Sequence, residues 1–308
     1  MTAIVETGGA AADLGRRSPR EVARRSTVLD YLELSKSRIV LMVLITTAAG
    51  YVIGAHPFNA VVLLHTLIGT ALVAAGTNAL NQYVERDLDA MMKRTRRRPL
   101  PGGRITPNAA LLFSTAIAIA GTLYLGFLVN WLTAFLGAFT LTSYIFVYTP
   151  LKRVSTICTL IGAIPGAIPP LMGFTAATGA LGLAGWIAFG VLFFWQLPHF
   201  MAISWMYRED YGRAGFAMLS VIDEKGKAVG RQAILYSVAL LAVSVAPYFF
   251  GMAGLLYLAV ATLAGLWIFI ASLMFSAHRG HAPARALFMS SNIYLLTMML
   301  LFVFTVRG

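Results

Sequence analysis

Glu85 and Asp89 stand four residues apart, and two amides, Asn78 and Asn81, precede them in the stretch NALNQYVERDLDAMMKRTRRRPLP. A helix turns through 100° per residue, so with Asn81 at zero, Glu85 falls at about 40°, Asn78 at about 60° and Asp89 at about 80°. Asp87 falls at about 240° and points elsewhere. One helix face therefore carries two carboxylates and two amides, a set of hard oxygen donors. Mg²⁺ takes one or two such carboxylates and leaves its other positions to water and substrate phosphates. Directly behind this face come Lys93, Arg94, Arg96, Arg97, Arg98 and Arg104, in a loop broken by Pro99, Pro101, Gly102 and Gly103. Alone, such a charge run is ordinarily a solvated surface. Behind an acidic face it supplies the other half of a diphosphate site, because a guanidinium offers phosphate oxygens a planar fork of donors.

A second constellation lies in FFWQLPHFMAISWMYREDYGRAGFAML. Relative to His199, Gln196 falls at about 60° and Asp210 at about 20° on an uninterrupted helix, an alignment that Pro198 loosens. From spacing alone, His199 is most simply a hydrogen-bonding residue inside a bundle. Of the twelve acids, five precede the first apolar run, three are in the first cluster, and the remaining four are Glu209, Asp210, Asp223 and Glu224. Ionisable groups at membrane depth are costly and usually functional, and the candidates gather after the second and sixth apolar runs. Between the two clusters, Tyr144 and Tyr148 precede Lys152 and Arg153; interfacial tyrosines ordinarily belong to an aromatic belt. Lys36 and Arg38 stand at the entry to the first run, where basic anchors are the ordinary reading.

The elements that must position these groups follow from composition. Hydrophobic residues make up 58% of the 308 and charged ones 12%, far more apolar than soluble domains. Runs near the ~20 residues needed to cross a bilayer as helix fall at about 39–56, 60–80, 108–129, 132–149, 157–176, 184–204, 232–250, 254–275 and 287–306. The expected fold is all-α: a polytopic membrane protein of nine transmembrane helices around a central cavity that opens to the cytoplasmic side. Lys and Arg accumulate in cytoplasmic loops. With the N-terminus inside, 23 of the 24 fall on that side and only Arg307 falls outside, so nine spans leave the N-terminus in and the C-terminus out. The net charge of +12 then reflects topology and anionic headgroups of membrane lipid, and no nucleic-acid partner is implied. Residues 1–34 read as a basic, disordered tail and 35–308 as the membrane domain, with 27–36 a candidate surface helix ahead of the first span. Pro165, Pro169 and Pro170 in the fifth run predict a kinked or broken helix that walls a cavity. The lone Cys158 excludes an internal disulfide. No cleavable signal peptide is visible. The four-helix offset between the two clusters suggests that helices one to four and five to eight are related units.

Asn81, Glu85 and Asp89 fit N-x-x-x-[DE]-x-x-x-D, and on that motif the chain resembles the UbiA superfamily of intramembrane prenyltransferases. MMKRTRRRPLPGGRI, LSKSRIVLMVLITTAAG, YTPLKR, PGAIPPLMG, WQLPHF and YREDYGRAGFAML extend the likeness over most of residues 34–220 and make it similar to the haem-modifying branch of that superfamily. Glu85 stands where Asp is commoner, Ser37 where Pro often follows the lysine, and the second cluster is not the D-x-x-x-D of quinone-pathway relatives.

The resemblance implies farnesyl diphosphate as donor, haem B as acceptor and haem O as product, with a haem A synthase downstream and residence in a bacterial plasma (inner) membrane. It implies Mg²⁺ held by Asn81, Glu85 and Asp89, with Glu209 and Asp210 also catalytic. Substrate contacts carry over to Asn78, Lys36, Arg38, Arg94, Arg98, Tyr148, Lys152, Arg153, Trp195, Gln196, His199, Tyr207 and Arg208, and the matching WQLPHF motif moves His199 to a haem contact. Two rival readings are an aromatic or quinone-precursor prenyltransferase of the same superfamily, and a secondary transporter, for which repeats, a broken helix and buried acids also occur.

Overall fold

The computed structural model describes residues 27–306, so most of the basic tail and Arg307 lie outside the described residues. Among the described residues the chain is helical, with no strand. Nine of the described helices are long and apolar enough to cross a membrane. They are α2 (Ser37–Gly54), α3 (Ala60–Val84), α5 (Pro107–Leu128), the compound span Trp131–Leu151, α8 (Cys158–Thr178), α9 (Leu183–Met206), α12 (Lys227–Phe249), α13 (Leu255–His278) and α14 (His281–Thr305). The compound span joins α6 (Trp131–Thr142), a π-helical turn Ser143–Tyr148, and α7 (Thr149–Leu151).

Short helices lie at one end of the bundle, which also carries the basic loops and is called the basic end below. They are α1 (Val28–Leu34), α4 (Arg86–Met91), α10 (Arg208–Arg213) and α11 (Leu219–Ile222). Helix α1 matches the candidate surface helix and lies within the segment 1–34 assigned to the tail. Arg104 pairs with Asp30 and Glu33, and Gln82 Nε2 donates to the carbonyls of Glu33 and Leu34 at 3.2 and 2.7 Å. These bonds hold α1 against α3 and the arginine loop.

Local chemistry sets the helix starts. The Asn59 side chain accepts from the amides of Val61 and Val62, that of Asn130 from Thr133, and that of Thr106 from Ala109. Each satisfies a donor that a helix start leaves unpaired. Packing runs in pairs, α3 on α5, α2 on α8, and α9 with α12 and α14.

The fifth span is not broken and forms little of the cavity wall. Helix α8 runs unbroken from Cys158 to Thr178 with all three prolines inside it, and only Thr159 of it reaches the cavity described below. Its small residues serve close packing. A Cβ on Gly50 would collide with the Pro170 carbonyl, and one on Gly173 with that of Thr47, so α2 and α8 meet backbone to backbone, as small residues allow between membrane helices.

Candidate active site

Helix α3 gives way to α4 at Glu85 (φ −92°, ψ 7°), yet the register survives the joint. The Glu85 amide donates to the Asn81 carbonyl at 3.0 Å and the Asp89 amide to the Glu85 carbonyl at 2.7 Å. Asn81, Glu85 and Asp89 therefore stay on one face, each buried, and line a cavity of about 360 Å³ at the basic end.

The opposite wall is cationic. Lys152 Nζ donates to Glu85 Oε1 at 2.7 Å, Arg98 Nη1 to Asp89 Oδ2 at 2.7 Å, and Lys36 Nζ to Asn81 Oδ1 at 3.0 Å. Lys36 reaches in because it holds a left-handed backbone (φ 53°) just before α2. Burial, then the Arg98 and Lys152 charges, push its pKa down to about 7. Lys152 lies 4.4 Å from the centre of the Tyr148 ring and 5.9 Å from that of Tyr144. The same cavity is also lined by apolar side chains, Phe200, Ile203, Phe216 and Met218.

Asp89 Oδ1 is buried and has no hydrogen-bond partner. An orphaned carboxylate oxygen is expensive unless a ligand completes it, and here it lies beside Glu85 and the Asn81 amide. That donor set fits a hard divalent cation. Among the described residues no three His, Cys, Asp or Glu converge, so a cation here would draw on two carboxylates, one amide and oxygens that are not the protein's, the habit of Mg²⁺ with phosphates.

The structure thus brings together Lys36, Asn81, Glu85, Asp89, Arg94, Arg98, Tyr148 and Lys152. It leaves others outside this cavity. Asn78 is buried one turn deeper along α3, and Arg38 and Arg153 are exposed. Gln196 Nε2 donates to the Ala163 carbonyl at 2.7 Å, tying α9 to α8. His199 Nδ1 lies 2.8 Å from Ser291 Oγ, and its ring stands between Trp195 and Phe288. Trp195 Nε1 donates to the Ser291 carbonyl at 2.5 Å, so this trio belongs to the contact of α9 with α14.

The second acidic cluster splits. Asp210 is buried; it pairs with Arg213 and accepts from the amides of Lys93 and Arg94 at 3.3 and 3.4 Å. Burial raises its pKa, but the Arg213 bond and then the two amides outweigh this and hold the carboxyl below its usual range. Asp210 therefore anchors the loop that carries Arg94, which lies 4.5 Å over Tyr207. Tyr207, Arg208 and Glu209 are exposed and, with Asp210, line a separate cavity. Sequence reasoning missed Gln82, Thr149, which accepts from Asn81 Nδ2 at 3.3 Å, and Tyr211, which accepts from Arg94 at 3.1 Å. Polar side chains inside apolar runs were the available signal for the first two.

A UbiA prenyltransferase family model matches residues 43–293, and the chain belongs to that family of multi-pass membrane proteins. The fold is similar to that of a digeranylgeranylglyceryl phosphate synthase, with a TM-score of 0.76 at 20% identity over 89% of this chain and 96% of that one. It is also similar to a UbiA homolog from Archaeoglobus fulgidus bound to GPP and Mg²⁺, with a TM-score of 0.64 at 15% identity over 89% and 99%. Within the family the chain is 46% identical to the protoheme IX farnesyltransferase of Solibacter usitatus, over 86% of this chain and 94% of the relative. It is 40% identical to the protoheme IX farnesyltransferase of Koribacter versatilis, over 88% and 91%.

Proposed function

We propose that this chain transfers the farnesyl group of farnesyl diphosphate to a vinyl group of haem B, giving haem O. The observation that carries the donor side is the cavity in which Asn81, Glu85 and Asp89 face Lys36, Arg98 and Lys152. The acceptor rests on likeness to the farnesyltransferases of Solibacter and Koribacter.

Asn81, Glu85 and Asp89 would hold Mg²⁺, which when bound neutralises diphosphate oxygens and improves the leaving group. In the free protein the three cations rest on the acids and the amide. With diphosphate present, Lys36, Arg98 and Lys152 turn their donors to phosphate oxygens, and Arg94 closes the outer side. They meet the charge that grows on the departing oxygens with donors already in place. The C1–O bond breaks and the diphosphate keeps its electron pair. Tyr144 and Tyr148 stand beside the buried charges, where ring faces steady the cationic carbon. The vinyl π pair forms the new carbon–carbon bond. Water then adds to the adjacent vinyl carbon and loses a proton, leaving the hydroxyl. Phe200, Ile203 and Phe216 keep water from the cation before that point.

His199 is a positioning residue in this scheme. Its ring sets the relation of α9 to α14 beside the acceptor, and His199→Ala raises the KM for haem more than that for farnesyl diphosphate. The basic end faces the cytoplasm, with the N-terminus inside, in a bacterial plasma membrane, and a haem A synthase takes the product.

Purified protein offered farnesyl diphosphate, Mg²⁺ and an equimolar mixture of haem B and a hydroxybenzoate tests the acceptor. Mass analysis finds haem gaining a farnesyl group and a hydroxyl, together the mass of one farnesol. Prenylated hydroxybenzoate with unaltered haem would transfer the chain to the quinone-precursor class.

A further inference from the structure

The donor diphosphate takes the cavity described above. A second cavity at the basic end, about 460 Å³, lies behind the end of α9 and is walled by the ends of α13 and α14 and by α10. Its polar lining includes Lys93, Arg208, Arg279 and His281, with Glu209 and Asp210 as the acids. Asp210 is already taken by Arg213 and two amides. Among the described residues no carboxylate lies within ion-pair distance of Lys93, Arg208 or Arg279. These cations therefore lack a carboxylate partner, and Arg208 Nη1 donates to the Glu224 carbonyl at 3.4 Å. Its floor is aromatic, with Arg208 lying 4.5 Å over the Trp205 ring and the Trp205 indole donating to the Arg279 carbonyl at 2.9 Å.

Two features make this more than a basic rim. Arg279 ends α13 in the left-handed region (φ 43°, ψ 34°), where glycine is the ordinary occupant; a side chain kept there is kept at a cost. The two cavities also share a wall. Lys93 and Asp210 line the second, while their neighbours Arg94 and Tyr211 line the first. Ligands in the two would stand side by side.

Along α9, His199 lies seven residues before the helix end at Met206, and along α14 Ser291 lies ten residues after His281. At 1.5 Å per residue the aromatic contact around His199 is roughly 10–15 Å deeper than the cavity. The packed contact between the two helices is thus apolar and aromatic, and its basic end opens on the cations of the cavity. A haem is a flat apolar plate whose two propionate carboxylates share one edge and whose vinyl groups occupy the other side. A single lipid phosphate would be served by any arginine in the headgroup belt, whereas two carboxylates on a rigid edge call for paired cations in a concave site.

We propose that the second cavity receives the propionate carboxylates of the haem acceptor, with Arg208 and Arg279 as their partners. This rests on the haem reading above.

The test compares haem B with its propionate dimethyl ester, using full-length protein in nanodiscs, both by steady-state turnover and by absorbance titration of haem binding without farnesyl diphosphate. Arg279→Gly removes the side chain and relieves the backbone, so a merely structural arginine would be replaced without loss. The expected result is a thermal midpoint equal to or above wild type, an apparent Kd and KM for haem B raised about tenfold, and an unchanged KM for farnesyl diphosphate. The ester already binds wild type about as weakly as haem B binds the variant. Arg208→Gln shows the same pattern. Equal Kd values for the two haems in wild type would overturn the proposal, as would a variant that weakens both haems alike. Anionic lipid retained by wild type and lost from Arg279→Gly, with haem binding unmoved, would make the cavity a lipid site. If wild type neither binds nor farnesylates haem B, the haem reading itself has failed, and that failure shows before any variant is made.

Discussion

Glu85 and Lys152 are both nearly buried, and each is tolerable because the other is there. Removing one partner of a buried pair costs about 3–5 kcal/mol, since the charge left behind has no solvent. Glu85→Ala should therefore lower the thermal midpoint of the purified protein as well as abolish turnover. The pair Glu85→Gln with Lys152→Met should recover most of the midpoint and none of the turnover, which separates the stability role from the chemical one. At this scale the sequence was most legible where the period of a helix did the work. The face of Asn81, Glu85 and Asp89 follows from spacing alone, and the Glu85 joint does not destroy it. Lys36 was legible as a basic residue near the membrane, but its left-handed backbone and its bond to Asn81 depend on a contact across 45 positions. The His199–Ser291 pair spans 92 positions, and no local pattern announces it.

Among elements, the prolines of α8 argued for a kink or a break, and the helix is not broken. Membrane helices accept proline where neighbours close over the freed carbonyls, and here Gly162, Gly166 and Gly173 let Tyr148, Gln196 and α2 press close. The same glycines that suggested irregularity are what make the packing dense. Gly173→Ala should therefore destabilise the α2–α8 contact by about 1–3 kcal/mol or more, read as earlier thermal aggregation in detergent, whereas Gly179→Ala, past the helix end with open space around it but φ 71°, should cost about 1 kcal/mol from backbone strain alone. Asp210 joins α10 to the loop after α4. Arg213 and the Lys93 and Arg94 amides hold its carboxyl below the usual value, so its contribution is present above the ordinary aspartate pKa, about 4, and is lost as pH falls through the depressed folded value. Asp210→Asn should flatten the acid limb of the stability curve and raise the KM for farnesyl diphosphate by loosening Arg94. An unchanged acid limb would remove Asp210 from the account.

For the whole molecule, the apolar runs carried the architecture: among the described residues nine candidate spans match the nine expected, with ends shifted by a few residues. What the runs do not encode is which helices touch, so two adjacent cavities and the wall between them came only with the fold. Reporter fusions test the orientation. A periplasm-active reporter should work after residue 306 and after the 54–60 turn and be silent in the 92–106 loop; activity in that loop would invert the topology and place the site on the other face.

The most direct measurement of the central claim is binding of farnesyl diphosphate to purified wild type and Asp89→Asn, titrated with Mg²⁺ and then chelated. Wild type should bind only with the cation, lose the ligand on chelation and regain it when Mg²⁺ is restored, and the variant should bind at least tenfold more weakly. Binding that survives chelation, or that Asp89→Asn leaves at wild-type strength, would contradict it.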